Sequence, residues 1–299
     1  MLFHRAKNKF HAYSLLNDYT TSIPLIYHID HDKQAILMEN IDAYYMNVDT
    51  YNEKNTDGEV VRANYNVIMR AMADWHGSLW DNYKAFDNFT IPWHFENKDN
   101  LLWWINDAMT KPFAKYKKAE ESGKIPKSIK DDDGNDWINN ITHKEMAYYE
   151  QALEYLKNEY VKIVEQRYDA AKNVTVIHGD LHTGRIRLSK SPDKKAIIIE
   201  PQGFRIGLCT EDLAMLIALH ISSDDSETIA VNFNDTQPML DYYYQCLCEK
   251  VKNYSHETFM NDYKLSVAEN LFFPIRLIND GIYDFRMRDK AIRAFEAFV

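Results

Sequence analysis

Val176-Ile-His-Gly-Asp-Leu-His-Thr-Gly-Arg-Ile-Arg-Leu188, followed by Ala196-Ile-Ile-Ile-Glu-Pro-Gln202, decides how this chain is read. Two β-branched runs each carry a carboxylate, Asp180 and Glu200, at the end of an apolar segment. A rigid scaffold presents acidic side chains to a cleft in this way. The pattern predicts a central hairpin in which the strand before Asp180 pairs with the strand before Glu200.

Upstream of that hairpin, Phe10, Tyr13 and Leu16, with Phe3 before them, stand at helical spacing. Ile23-Pro-Leu-Ile-Tyr-His-Ile29 and Gln34-Ala-Ile-Leu-Met-Glu39 flank the polar turn Asp30-His-Asp-Lys33 and read as a β-hairpin. Val60, Asn64, Val67, Ala71, Trp75 and Leu79, with Ile68 and Met72, form the apolar stripe of a core-facing helix. Leu101-Leu-Trp-Trp-Ile105 starts another helix, and Lys127 to Gly134 reads as a polar break. The longest amphipathic stretch joins Met146, Tyr149, Leu153, Leu156, Tyr160, Ile163 and Tyr168.

Downstream, Glu211 to His220 is apolar after an acidic first turn, as a buried helix would be. Met239–Val251, Asp262–Leu277 and Lys290–Val299 continue helically. No repeat or low-complexity tract interrupts the sequence. Trp75, His76, Trp80 and His220 read as core residues, and Asp224-Asp225, Asp241 and Asp280 as acidic residues that could face a cleft or be solvated.

The 299 residues, 45% of them apolar and 13% aromatic, specify a folded protein with a sizeable core. A formal charge of −10 disfavours nucleic acid and anionic membrane as partners, and Lys115-Tyr-Lys-Lys118 reads as solvated helix surface. Three cysteines, Cys209, Cys246 and Cys248, make neither a disulfide framework nor a zinc knot, and a reducing cytoplasm is expected. No segment reaches the ~18 consecutive apolar residues of a membrane span.

The triplet His178-x-Asp180-x-His182 admits three readings. Asp180 can accept a proton from a substrate hydroxyl while Glu200 holds a divalent cation, which is the equipment of phosphoryl transfer. Alternatively, the three side chains satisfy local backbone groups, the preferred reading of His-Gly-Asp alone. Third, they ligate one transition metal in a hydrolase, although no further ligand cluster accompanies them.

His178-Gly-Asp-Leu-His-Thr-Gly184, Ile197-Ile-Ile-Glu-Pro-Gln202 and Ile206-Gly-Leu-Cys-Thr-Glu-Asp-Leu-Ala214 together resemble the catalytic region of the aminoglycoside phosphotransferase family, relatives of choline kinases and of the protein-kinase fold. Ala73-Asp-Trp-His-Gly-Ser-Leu-Trp80, Asp262–Val267 and Asn270–Ile275 extend the similarity over roughly residues 8 to 298. The resemblance implies an α+β, protein-kinase-like fold: a remnant of the N-terminal lobe over residues 1–41 and a helical C-terminal lobe over 42–299. It makes Asp180 the catalytic aspartate, His178 the brace of its loop, Asp212 and His182 structural support, and Glu200 the metal ligand. Glu39, Asn40 and Ile41 fall at the hinge that would hold an adenine ring. ATP and Mg2+ would be the cofactors and a small hydroxylated molecule the acceptor.

Three departures from the family pattern bear on activity. Arg185 replaces an asparagine that ligates magnesium, and a guanidinium offers only donors. Glu200 replaces an aspartate, lengthening the carboxylate by a methylene in a site that needs near-ideal octahedral geometry. The first glycine is Gly58, so the glycine-rich loop and strand lysine of the family are expected to be missing from these residues, whether by a true or a misplaced start, and Lys9 or a neighbour stands near the position of the phosphate-facing glutamate. The expectation is a small-molecule kinase-like protein with impaired or absent catalysis. The alternative is an active ATP- and Mg2+-dependent O-phosphotransferase using Asp180 as base, and a metal-dependent hydrolase is a remote third.

Overall fold

The computed structural model describes residues 10–48, 58–81, 98–130, 134, 136–167, 172–191, 193–201, 203–221 and 236–299. Phe3, Lys9, Tyr168, Gln202, Asp224 and Asp225 lie outside the described residues, as do the side chains of Val60 and His220.

A helix over residues 10–16 (α1) buries Phe10, Tyr13 and Leu16, as their spacing predicts. Strands β1 (Ile26–Asp30) and β2 (Ala35–Met38) then pair antiparallel. Their turn closes where the Lys33 amide donates to Asp30 Oδ1 at 3.0 Å. A single helical turn, Ile41–Tyr44, leads into β3 (Tyr45–Asn47), and α2 (Gly58–Ser78) carries the apolar stripe of Ile68, Met72 and Trp75. Next come α3 (Lys98–Ile105), a π-helical turn (Asn106–Thr110) and α4 (Lys111–Glu121).

The polar stretch expected as a break instead opens a small hairpin, in which β4 (Ser128–Lys130) pairs with β5 (Asp136–Ile138). Ile129 and Trp137 face each other across it and Gly134 turns at φ 86°, so one apolar cross-strand pair organises an otherwise polar segment. Helix α5 (His143–Arg167) follows. It begins earlier than its apolar stripe because Thr142 and Glu145 form a reciprocal pair: Glu145 Oε2 accepts from the Thr142 amide at 2.7 Å, and Thr142 Oγ1 from the Glu145 amide at 3.2 Å.

The central region corrects the expected hairpin. Strand β6 (Thr175–Ile177), which leads to Asp180, does not pair with the strand before Glu200; its partner is β9 (Arg205–Gly207). Strand β7 (Ile186–Ser189) pairs with β8 (Ala196–Ile198) on one side and β3 on the other. The physical reason is visible in burial: β6 and β8 are three-residue runs buried throughout. They carry no in/out alternation to mark a partner or register.

The remaining elements are helical: α6 (Cys209–Ala214) with a π-helical continuation (Met215–Ile221), α7 (Thr236–Cys248), α8 (His256–Asn270), α9 (Phe272–Asn279) and α10 (Phe285–Phe298). The chain divides into two compact units. One comprises Met1–Pro92 and Asn173–Phe259, the other Trp93–Lys172 and Met260–Val299. In the first, α2 packs along α7, with His76 edge-on to Tyr243 and Arg70 over the Tyr242 ring. In the second, Tyr149 stacks on Phe113 at 5.2 Å and meets Phe272 edge-on at 5.6 Å. Among the described residues, no helix is long and apolar enough to cross a membrane.

Candidate active site

Strand β6 delivers His178 into the core of the first unit, where the side chain is completely buried. Its Nε2 lies 3.0 Å from the Ile199 carbonyl, which can only accept, so Nε2 carries the proton. Nδ1 then accepts from the Asp180 amide at 3.2 Å. The two bonds select one neutral tautomer, and burial lowers the pKa of the imidazole in the same sense. With both ring nitrogens engaged, His178 has no lone pair left for a metal.

Gly179 turns the chain at φ 74°, and a Cβ at this position would lie 2.2 Å from the Gly203 carbonyl oxygen. Only glycine fits this left-handed turn. Asp212, at the start of α6, grips the same turn: Oδ2 accepts from the His178 amide at 2.7 Å and Oδ1 from the Gly179 amide at 2.9 Å. His76 adds a third bond to Oδ2 at 3.2 Å, and its own Nδ1 is 2.8 Å from the Tyr243 hydroxyl. Burial alone would raise the Asp212 pKa, but the donors from His76 and His178 outweigh it and hold the carboxyl below its usual range.

The stretch read as a second strand run supplies two further residues. A 3₁₀ turn, Thr183–Arg185, starts at His182, whose Nδ1 accepts from the Gly184 amide at 3.1 Å. The β7–β8 register sets Ile186 opposite Ile198, and the Ile199 amide donates to the Arg185 carbonyl at 2.8 Å. Arg185 and Glu200 thus become neighbours. The guanidinium reaches both acids: Nη1 donates to Glu200 Oε2, and Nη2 to Asp180 Oδ2 at 3.3 Å. Glu200 itself is held at φ 58°, rare for a residue other than glycine and strained before Pro201. Its amide donates to the buried Tyr13 hydroxyl at 2.9 Å.

A magnesium ion does not fit this arrangement. It requires oxygen ligands in octahedral array, and here a group with donors only bridges the two carboxylates that would provide them. Among the described residues, no group of three or more His, Cys, Asp or Glu side chains is placed to hold a metal ion.

Sequence reasoning put Asp180, His178, Asp212, Arg185 and Glu200 near one another, and the structure joins all five. His76 and Trp75 are buried, as expected of core residues. In addition, His76 orients Asp212, and the Trp75 indole donates to the Val176 carbonyl at 2.9 Å while its ring tilts against His178 at 6.0 Å. The contacts of Arg205 were missed: Arg205 Nη1 donates to the Gly179 carbonyl at 3.4 Å and Nη2 to Glu211 Oε2 at 2.5 Å. Glu211 was legible as an acidic first helical turn, but its pairing with Arg205 left no periodic signal.

Glu39, Asn40 and Ile41, expected at a hinge, lie in the same unit. Glu39 Oε1 accepts from the Leu25 amide at 2.8 Å, while Asn40 and Ile41 open the single turn before β3. Glu39 also lines a cavity of about 650 Å³ with Thr20, Ser22, Asp74, Lys194 and Lys250. Asp74 Oδ2 accepts from the Thr20 and Ser22 hydroxyls at 2.7 and 2.9 Å, and Lys250 donates to its other oxygen.

No family model matches the chain, and no curated protein matches its sequence. Solved structures do match it. A protein assigned to the aminoglycoside phosphotransferases of Ralstonia eutropha JMP134 aligns with a TM-score of 0.53 at 12% identity, over 98% of this chain and 83% of its own. This chain has a kinase-like phosphotransferase fold. A choline/ethanolamine kinase family protein of Mesorhizobium loti aligns at 0.50 and 11% identity, covering 98% of this chain and 78% of that one. Choline kinase of Cryptosporidium parvum Iowa II gives 0.50 and 11% over 95% and 74%. At such identity the likeness establishes the fold, and the α+β, protein-kinase-like architecture is the one the sequence motifs implied.

Proposed function

We propose that this chain is a small-molecule kinase-like protein whose phosphoryl transfer is impaired and whose cleft serves binding. One observation carries the reading: the guanidinium of Arg185 bridges Asp180 and Glu200. In phosphoryl transfer, a carboxylate must be open to the acceptor hydroxyl, and cations must neutralise the transferred group. Here Oδ2 of Asp180 already accepts from Arg185, and Glu200 is engaged by the same side chain. Losing one well-placed electrostatic group costs about 10²–10³ in rate. Loss of the free acid and of the metal carboxylate together leaves little turnover.

A specific observation favours the alternative, an active ATP- and Mg2+-dependent O-phosphotransferase. The brace of His178, Asp212 and His76 is complete, and the Asp180 side chain is 37% exposed. The structural neighbours bear the names of choline, ethanolamine and aminoglycoside kinases, so small hydroxylated amines are the acceptors to test. The decisive assay incubates the chain with ATP, Mg2+ and choline, ethanolamine or an aminoglycoside and follows phosphorylated acceptor by mass spectrometry. The expected yield equals that of Asp180→Ala. Turnover above that background would overturn the proposal in favour of the active enzyme.

A further inference from the structure

We infer that Arg185 is a built-in substitute for a divalent cation, and that Asp180 and Glu200 become a divalent-cation site once its guanidinium is removed. The inference deepens the proposed function and rests on that reading of the site.

Two carboxylates brought together from separate loops repel each other unless a cation stands between them. The guanidinium supplies that charge through two nitrogens, one to each acid. The Arg185 side chain is 20% exposed, less than either carboxylate, so it lies on the protein side of the pair.

The main chain that carries each carboxylate is held without the Arg185 guanidinium. Asp180 follows the left-handed Gly179 turn, and its amide is tied to His178 Nδ1. Glu200 occupies its own left-handed conformation, with its amide on the Tyr13 hydroxyl and the preceding residue hydrogen-bonded to the Arg185 carbonyl. That last bond uses the main chain of Arg185, which any substitution retains. Replacing the guanidinium therefore leaves two backbone-anchored acids facing a vacated position. An asparagine there adds a neutral oxygen ligand, giving an all-oxygen set suited to a hard cation of the Mg2+ or Mn2+ class.

The test is calorimetric titration of Mn2+ without nucleotide into the wild type, Arg185→Asn, Arg185→Gln and Arg185→Asn/Glu200→Gln, each checked for folding by circular dichroism. The expected result is at least tenfold tighter binding to Arg185→Asn than to the wild type, lost again in the double variant. Wild-type binding as tight as that expected of Arg185→Asn would overturn the inference. So would a folded Arg185→Asn that binds no better than wild type. Failure of both single variants to fold would overturn it too, because the carboxylates would then need the guanidinium to stay in place. Turnover is judged separately: wild type that phosphorylates an acceptor yet binds no Mn2+ refutes the proposed function and leaves this inference standing.

Discussion

Replacing Asp212 with alanine should destabilise the protein more than any other single carboxylate deletion in the site. Asp212 accepts three hydrogen bonds, from the His178 amide, the Gly179 amide and His76 Nε2. His178, His76 and Asp212 are all buried, so two of those donors would lose their partner away from water, while Gly179 lies partly open to solvent. A buried donor left unsatisfied costs about 1–3 kcal/mol, and the half-open amide adds less. The sum is about 2–7 kcal/mol, equivalent to a fall in melting temperature on the order of 10 °C for a chain of this size. Scanning calorimetry of wild type, Asp212→Ala and Asp180→Ala would measure it. The Asp180 variant is the control, since its half-exposed side chain anchors no buried donor besides the guanidinium that Glu200 also holds, and it should stay within about 1 kcal/mol of wild type. An Asp212→Ala melting temperature within about 2 °C of wild type would refute the argument that this carboxylate carries the turn.

Two other outcomes follow from the same geometry. Gly179→Ala would bring a Cβ to 2.2 Å from the Gly203 carbonyl oxygen at a positive φ, so a loss of about 3 kcal/mol or more is expected in urea unfolding, and a loss below about 1 kcal/mol would contradict the turn. Stability should also fall in two stages on acidification. Burial lowers the His178 pKa from 6.5, so below about pH 6.5 the unfolded chain binds a proton that the folded chain resists, and stability declines. Asp212 is also lowered, despite burial, by its donors, so its contribution persists above the unfolded carboxylate value and is lost as pH falls through the folded one, below about 4. A urea midpoint flat from pH 8 to pH 5 would argue against the first stage.

Much of the fold was legible because its signals are local. The stripe along α2 and the Asp30–Lys33 turn each act over a few residues, and their positions mark the elements directly. The hairpin of β4 and β5 was missed because one Ile129–Trp137 pair holds it within a polar segment. The brace on Asp212 was only half legible. Its link to the Asp180 loop came through motif resemblance, whereas its bond to His76 spans 136 residues and leaves no periodic trace.

The sequence by itself determined which groups are present: an aspartate after a His-Gly turn, a glutamate after an apolar run, and an arginine that can donate but never ligate. It also determined the helical periods that bury α2, α5 and α7. Strand pairing was left to the tertiary structure, because fully buried triplets such as β6 and β8 hold no alternation from which to choose a partner. By pairing β6 with β9 and β7 with β8, the fold placed Arg185 beside Glu200 and turned Asp180 towards both. The guanidinium bridge is thus a consequence of register, which depends on contacts between segments far apart in the chain.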